Sequence, residues 1–311
     1  MGDYMKFVTF EKGDGTVRAG VMLESDLVVD MSEATDGSLP EKLIDFLEQS
    51  EQNMVSAAQL LQLTDGDKGV YPIHEVRLIA PLPAPRSFRD FYAFEQHVKS
   101  ARENRGLDMI PEWYQIPVFY FSNHLTIKGP EDNISKPIEC NWLDYELEVA
   151  CIIGKEGRNI KAYEAEDYIF GYCILNDWSA RDLQRQEMKV GLGPAKGKDF
   201  ATSVGPWIIT KDELENLRSG KGFNITMKAK VNGVLLSEGN MKDIYYSFGE
   251  MIERASAGVT LYPGEMIGSG TVGTGCILER GTEVHRWLQP GDVVEFEIDK
   301  LGVLKNSIVN D

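Results

Sequence analysis

The run Leu143-Asp144-Tyr145-Glu146-Leu147-Glu148-Val149-Ala150-Cys151-Ile152-Ile153 constrains the fold more than any other part of this chain. Alternation predicts a β-strand with Asp144, Glu146 and Glu148 on one face and Tyr145, Leu147 and Val149 on the other. Past Glu148 the run is wholly apolar, the pattern of a central strand covered on both sides. Carboxylates two residues apart on a buried strand repel each other and lose hydration, which costs several kcal/mol per uncompensated charge. A hard divalent cation with oxygen ligands relieves that cost, Mg²⁺ or Ca²⁺ ahead of Zn²⁺. Acids on a solvated face, or paired with Lys and Arg, fit the same pattern, so the choice falls to the rest of the chain.

The length of 311 residues suits one large domain or a small one joined to a larger one. A net charge of -17 argues against a nucleic-acid partner and against docking on anionic membranes, since both need a basic face. No apolar run approaches the roughly 18 residues of a membrane span. The start Met1-Gly2-Asp3-Tyr4-Met5-Lys6 lacks the basic-then-apolar order of a signal peptide, so none is visible. Cys140, Cys151, Cys173 and Cys276 form no CxxC pair and read as reduced core thiols of a cytosolic protein, with disulfides or a zinc site the lesser alternative. The histidines His74, His97, His124 and His285 show no HExxH spacing, so zinc-hydrolase motifs are absent.

Along the chain, strands are predicted at Lys6–Thr9, Val17–Leu23 and Leu27–Val29, then helices at Glu41–Gln49 and Met54–Leu63. The segment Ala80-Pro81-Leu82-Pro83-Ala84-Pro85 is stiff and extended and reads as a junction. It separates a small N-terminal β/α domain, residues 1–80, from a β-rich α+β body, residues 81–311. That body is expected to hold strands at Pro117–Phe121, 143–153, Tyr168–Leu175, Val204–Thr210, Met266–Ser269 and Val293–Ile298. A hairpin joins Ile225–Val231 to Val234–Ser237 through Asn232-Gly233, a type I′ turn signal. Ser247 followed by Glu250 is a capping box that opens a helix.

Three further segments carry groups with chemistry. Arg89-Asp90-Phe91-Tyr92-Ala93-Phe94-Glu95-Gln96-His97 puts a carboxylate, a phenol and an imidazole in one piece, read as a loop entering a helix. In Asn176-Asp177-Trp178-Ser179-Ala180-Arg181-Asp182-Leu183-Gln184, a helix starting at Asp177 would stack Asp177, Arg181 and Gln184 on one face. Asp90 and Asp177 also suit plain N-caps. Gly197-Lys198-Asp199-Phe200-Ala201-Thr202 lacks the P-loop frame. Gly268-Ser269-Gly270-Thr271-Val272-Gly273-Thr274-Gly275 reads either as a loop whose backbone N–H groups hold an anion or as a plain flexible connection.

The order DFYxxxQH, ELE, NDWSARDxQ, GKxF and SGT resembles the fumarylacetoacetate hydrolase family over roughly residues 85–300. The resemblance implies a mixed β-sandwich roll in the catalytic domain and a cytoplasmic homodimer. It implies an enzyme that cleaves or decarboxylates β-dicarbonyl acids with Mg²⁺, Mn²⁺ or Ca²⁺. Carried over, the metal carboxylates fall on Asp90, Glu146, Glu148 and Asp177, with Lys198 and Thr202 beside the metal and its waters. The base falls on His97, with Glu279 as its partner and Arg181 close by. Substrate contacts fall on Tyr92, Tyr120, Gln184 and Thr271. Asp144 matches no ligand position. Ser100 stands where many small bacterial members carry an acid after the histidine, and Met188 where fumarylacetoacetase has a tyrosine. A substrate arginine of that enzyme aligns with Gly106, leaving Arg102 or Arg105 to reach the site.

The expected activity is therefore hydrolysis of a carbon–carbon bond in β-diketo acids of the acylpyruvate or fumarylacetoacetate type. Decarboxylation of a 2-oxo acid such as oxaloacetate would use the same ligands. A catalytically silent protein keeping the cation for structure is a third reading. The polar stretch 93–112 reads either as a lid over the substrate or as an ordinary exposed helix and loop.

Overall fold

The computed structural model describes residues 5–24, 26–104 and 106–311. The signal-peptide reading of Met1–Lys6 thus falls mostly outside the described residues, and Arg105 lies outside them altogether.

The acid-bearing strand is central, as its apolar end requires. Leu147–Ile153 pairs antiparallel with Ile169–Asn176 on one side and with Met266–Gly268 on the other. Leu147, Val149, Cys151 and Ile153 face one hydrophobic core, while Ala150 and Ile152 face a second. The expected single strand over 143–153 is broken: Leu143–Asp144 pairs instead with Ser179–Ala180. At the break the N–H of Glu146 donates to the Asn176 side chain (3.0 Å), which takes the place of a ladder bond.

The large sheet runs in the order Val70–Pro72, Leu27–Asp30, Val17–Leu23, Lys6–Glu11, Thr202–Thr210, Ile169–Asn176, Leu147–Ile153, Met266–Gly268, Phe88–Phe91 and Phe119–Ser122. The strands before the proline segment thus continue the same sheet, because Lys6–Glu11 pairs with Thr202–Thr210. They share a core as well: Phe7 packs on Phe46 and Phe170 with ring centroids 5.0 and 5.1 Å apart. The proline segment itself is pinned to this sheet by the Thr9 hydroxyl, which donates to the Pro81 carbonyl (2.6 Å).

A second sheet of Val234–Asn240, Thr226–Val231, Val293–Ile298, Gly302–Asn310 and Asn133–Lys136 supplies the facing layer. Alternation points Met227, Ala229, Val231, Val294, Phe296 and Ile298 into the core shared with Leu147 and Val149. Asn232 and Gly233 both have positive φ (50° and 79°), as a type I′ turn needs. The Ser247–Glu250 capping box opens the helix Phe248–Ser256. The molecule is a strand-rich α+β fold with few helices, as expected. No helix among the described residues is long and apolar enough to cross a membrane.

Two further local expectations need correction. Asp90 lies in a strand, Phe88–Phe91, and the helix that follows starts only at Glu95. That strand inserts between Met266–Gly268 and Phe119–Ser122, and such long-range pairing overrides local pattern. The helix expected from Asp177 starts at Arg181 and has Ala180 as its N-cap. Ser179–Ala180 is taken by the short ladder to Leu143–Asp144, so the chain cannot turn helical before Arg181. Arg181 and Gln184 still meet, at 3.3 Å. In the stretch 93–112, helix Glu95–Glu103 buries His97, Val98 and Ala101, while Leu107 and Ile110 are exposed.

Candidate metal centre and active site

Sheet register assembles the acids. Asp90 lies opposite Gly268, Gly268 opposite Ala150, and Glu148 opposite Leu175, two residues before Asp177. Four buried carboxylates result, those of Asp90, Glu146, Glu148 and Asp177, each offering one oxygen within 4.8 Å of the others. Gly268 makes the crowding possible, since a Cβ there would lie 2.3 Å from Asp90 Oδ1.

The charges are only partly balanced. Lys198 Nζ bonds to Glu146 and to Asp177 (2.7 Å), and Arg181 Nη2 lies 2.8 Å from Glu146. Burial alone would push Glu146 up, but Arg181 and Lys198 hold its carboxyl below the usual range. Asp90 and Glu148 go the other way: burial, then neighbouring acids, push both well above the ordinary carboxylate range. Asp177 is also pushed up by burial, against the pull of Lys198. Glu148 accepts from the Gly270 N–H (3.0 Å) and the Thr271 hydroxyl (3.3 Å), and Asp177 from the Tyr120 hydroxyl.

Asp90 Oδ1, Asp177 Oδ1 and Thr202 Oγ1 are buried without a hydrogen-bond partner. Buried polar oxygens are seldom left so, and an acid cluster holding several of them fits a cation. The donors are all hard oxygens, the set that suits Mg²⁺, Mn²⁺ or Ca²⁺.

Beside the cluster, His97 Nδ1 meets Glu279 Oε1 at 2.5 Å, and its Nε2 lies 3.9 Å from Glu146 Oε1. Glu279 sits on the short helix Ile277–Arg280, and its other oxygen accepts from the Thr274 N–H (3.0 Å). The Tyr92 ring stands edge-on to His97 with centroids 5.3 Å apart. Gln184 accepts from Arg181, while the hydroxyls of Tyr120 and Thr271 are turned to acids. Arg102 donates to the Asp108 carbonyl, within its own loop.

Lys198, Arg181, Tyr120 and Thr271 thus contact the cluster directly, His97 with Glu279 and Tyr92 stands beside it, and Gln184 is held on Arg181, whereas Arg102 bonds elsewhere. Sequence reasoning gave no role to Asp144. In the structure it bonds Arg181 Nε (2.9 Å) and the first turn of the helix carrying Glu279. Its place on the acid face was the one available signal.

Fold and site together define a strand-rich α+β protein with a buried carboxylate centre suited to a divalent metal. The chain belongs to the fumarylacetoacetate hydrolase family: the family's fumarylacetoacetate hydrolase C-terminal domain matches residues 86–309. Over 98% of its length the chain is 29% identical to the whole of oxaloacetate tautomerase YisK of Bacillus subtilis (strain 168). It is 32% identical to a mitochondrial oxaloacetate tautomerase of Bos taurus, over 91% of this chain and 84% of that one. Among solved structures, a fumarylacetoacetate hydrolase from Exiguobacterium antarcticum superposes with a TM-score of 0.76 at 27% identity, over 99% of this chain and 100% of that one. A maleylpyruvate hydrolase from Sphingobium sp. SYK-6, solved with manganese(II) and pyruvate, gives 0.74 at 25% identity, over 98% and 99%.

Proposed function

We propose that the protein is a divalent-metal-dependent enzyme that interconverts the enol and keto forms of oxaloacetate or a similar 2-oxo diacid. The observation that carries this reading is the His97 imidazole, held through Nδ1 by Glu279 with Nε2 turned toward the acid cluster. Its similarity to oxaloacetate tautomerases over nearly the whole chain supports the choice of substrate.

Ketonisation moves one proton from the enol hydroxyl to C3 and breaks no bond between heavier atoms. An ionised Glu279 only accepts, so His97 carries its hydrogen on Nδ1 and a lone pair on Nε2. Nε2 takes the enol proton and returns it to C3. Between the two transfers, Lys198 and Arg181 offset the negative charge on the enolate oxygen. Asp90, Glu146, Glu148 and Asp177 would hold Mg²⁺, Mn²⁺ or Ca²⁺, with Thr202 beside it. Such an ion supplies Lewis acidity toward the oxo group and carboxylate of the substrate. Tyr92, Tyr120, Gln184 and Thr271 are the proposed substrate contacts, the Tyr120 and Thr271 hydroxyls after release from their acids.

Carbon–carbon hydrolysis of acylpyruvates is the second reading. A His–Glu pair activates water equally well, cleavage expels the same kind of enolate, and the maleylpyruvate hydrolase likeness favours it. Decarboxylation of oxaloacetate would draw on the same charges. One set of assays separates the three: loss of enol absorbance, release of CO₂ with pyruvate, and release of pyruvate with a second acid, each with Mg²⁺ and Mn²⁺. Fast ketonisation that disappears in His97→Ala and Glu146→Ala is expected. Ketonisation at the buffer rate would defeat the tautomerase reading, and brisk acylpyruvate cleavage would move the function to hydrolysis.

A homodimer remains part of the proposal, checked by light scattering on the purified protein. The four buried free cysteines support a reducing compartment such as the cytoplasm.

A further inference from the structure

We infer that Asp144 is a positioning residue whose single carboxylate sets both the charge stabiliser Arg181 and the turn that carries Glu279. Asp144 is 0% exposed. Its Oδ1 accepts from the N–H groups of Tyr145 (2.9 Å) and Ile277 (2.8 Å). Its Oδ2 accepts from the Leu278 N–H (3.0 Å) and from Arg181 Nε (2.9 Å). Four donors thus converge on two oxygens, and only a carboxylate can serve them all. An asparagine there would set its NH₂ against two donors, whichever way the amide turned.

Each arm ends at a working group. Arg181 reaches from Asp144 to Glu146 Oε1 at 2.8 Å. The helix Ile277–Arg280 has no side-chain cap of its own at Cys276, so Asp144 takes up its first two N–H groups from a distant strand. Two residues further on, Glu279 holds His97. The acid stretch therefore carries two of the four metal carboxylates, Glu146 and Glu148, and through Asp144 also holds the turn of the imidazole's partner.

This inference rests on the enolisation reading of His97 and Arg181, so its test includes a measurement independent of turnover. In Asp144→Asn, kcat is expected to fall ~10–100-fold while KM and the Mn²⁺ dissociation constant move by less than about threefold. In the Mg²⁺-loaded protein the downfield Nδ1–H proton resonance of His97 should shift or vanish. Placed on Glu279→Gln, the same change should cost less than it does in the wild type, because the part of its effect carried by the Glu279 turn is already lost and only the Arg181 part remains. Full multiplication of the two losses, or an unmoved His97 resonance, would overturn the inference.

If Asp144→Asn does not fold, Ile277→Pro and Ile277→Ala take its place. Both lose the buried side chain, but only Pro also removes the N–H. Pro is tolerated at the first helical position, and Cys276 already has the extended backbone (φ -151°, ψ 162°) that a following Pro requires. Lower kcat in the Pro variant than in the Ala variant supports the inference, and equal values overturn it. Failure of the wild-type protein to act on any oxo acid would strike the enolisation reading alone.

Discussion

Two groups of buried acids in this molecule are built on opposite principles. Asp292, at the turn before Val293–Ile298, is fully matched: Arg286 grips it with two nitrogens (2.6 and 2.9 Å), and Asn232 Nδ2 (2.9 Å) and the Gln289 N–H (2.8 Å) complete the set. Burial would push its carboxyl up, yet these partners bring it down to about 2. Among the described residues, the lysine and arginine partners of the four acids of the candidate metal centre are Lys198 and Arg181 alone, and Asp144 also draws on Arg181. Asp90 and Glu148 are consequently pushed up rather than down. The matched acid serves the fold. The unmatched cluster stores repulsion that a cation can relieve, which is the usual sign of a site kept for binding at the expense of stability.

The comparison breaks most sharply at Glu148. Replacing it with Gln should lower kcat/KM for the oxo acid by about a thousandfold or more, with weaker Mn²⁺ binding in equilibrium titration. Gly268→Ala, which drives a Cβ against Asp90 Oδ1, should weaken Mn²⁺ by ~10–100-fold without touching a ligand. Unchanged affinity would show that Asp90 has room to move. Mn²⁺ at a hundred times its dissociation constant should raise unfolding stability by about 2.7 kcal/mol in wild type, and chelation should remove the gain. Asp292→Asn should behave unlike any of these, leaving metal affinity alone.

Stability of the metal-free protein gives the smallest effects and the cleanest opposition of sign. Glu148→Gln should stabilise it by about 1 kcal/mol, since one repelling charge is gone. Asp292→Asn should destabilise it by about 2 kcal/mol at pH 7 in denaturant unfolding. The folded pKa of Asp292, about 2, lies below its ordinary 3.8, so its contribution is complete above the latter. It is lost as pH falls through about 2, and the gap between wild type and Asp292→Asn should close there. A gap that persists into acid would mean that packing around Asn232, not charge, holds this turn.

Much of the strand pattern was legible because period-two alternation is local. Val17–Leu23 and Val293–Ile298 have the expected bounds, and the Asn232-Gly233 turn and the Ser247 capping box formed as read. Phe88–Phe91 and Gly302–Asn310 were not anticipated. The first is short and fully buried, so it shows no alternation, and it exists by pairing with Met266–Gly268. Helix onset at Arg181 escaped for the same reason, a ladder between distant segments. At the site, residue identities carried the reading, while the double duty of Asp144 needs residues 133 and 134 positions away and has no local trace.

What the chain determined on its own was the set of ingredients: alternating acids entering an apolar strand, a histidine after an aromatic run, and an excess of negative charge. These follow from side-chain chemistry and the two-residue period of a strand, which act over a few bonds. Tertiary structure decided which acids would lack partners, which nitrogen of His97 would face them, and which carboxylate would bind Arg181 instead. Those choices depend on sheet register and on the distance between charges in a dry interior, and neither exists until remote strands are paired.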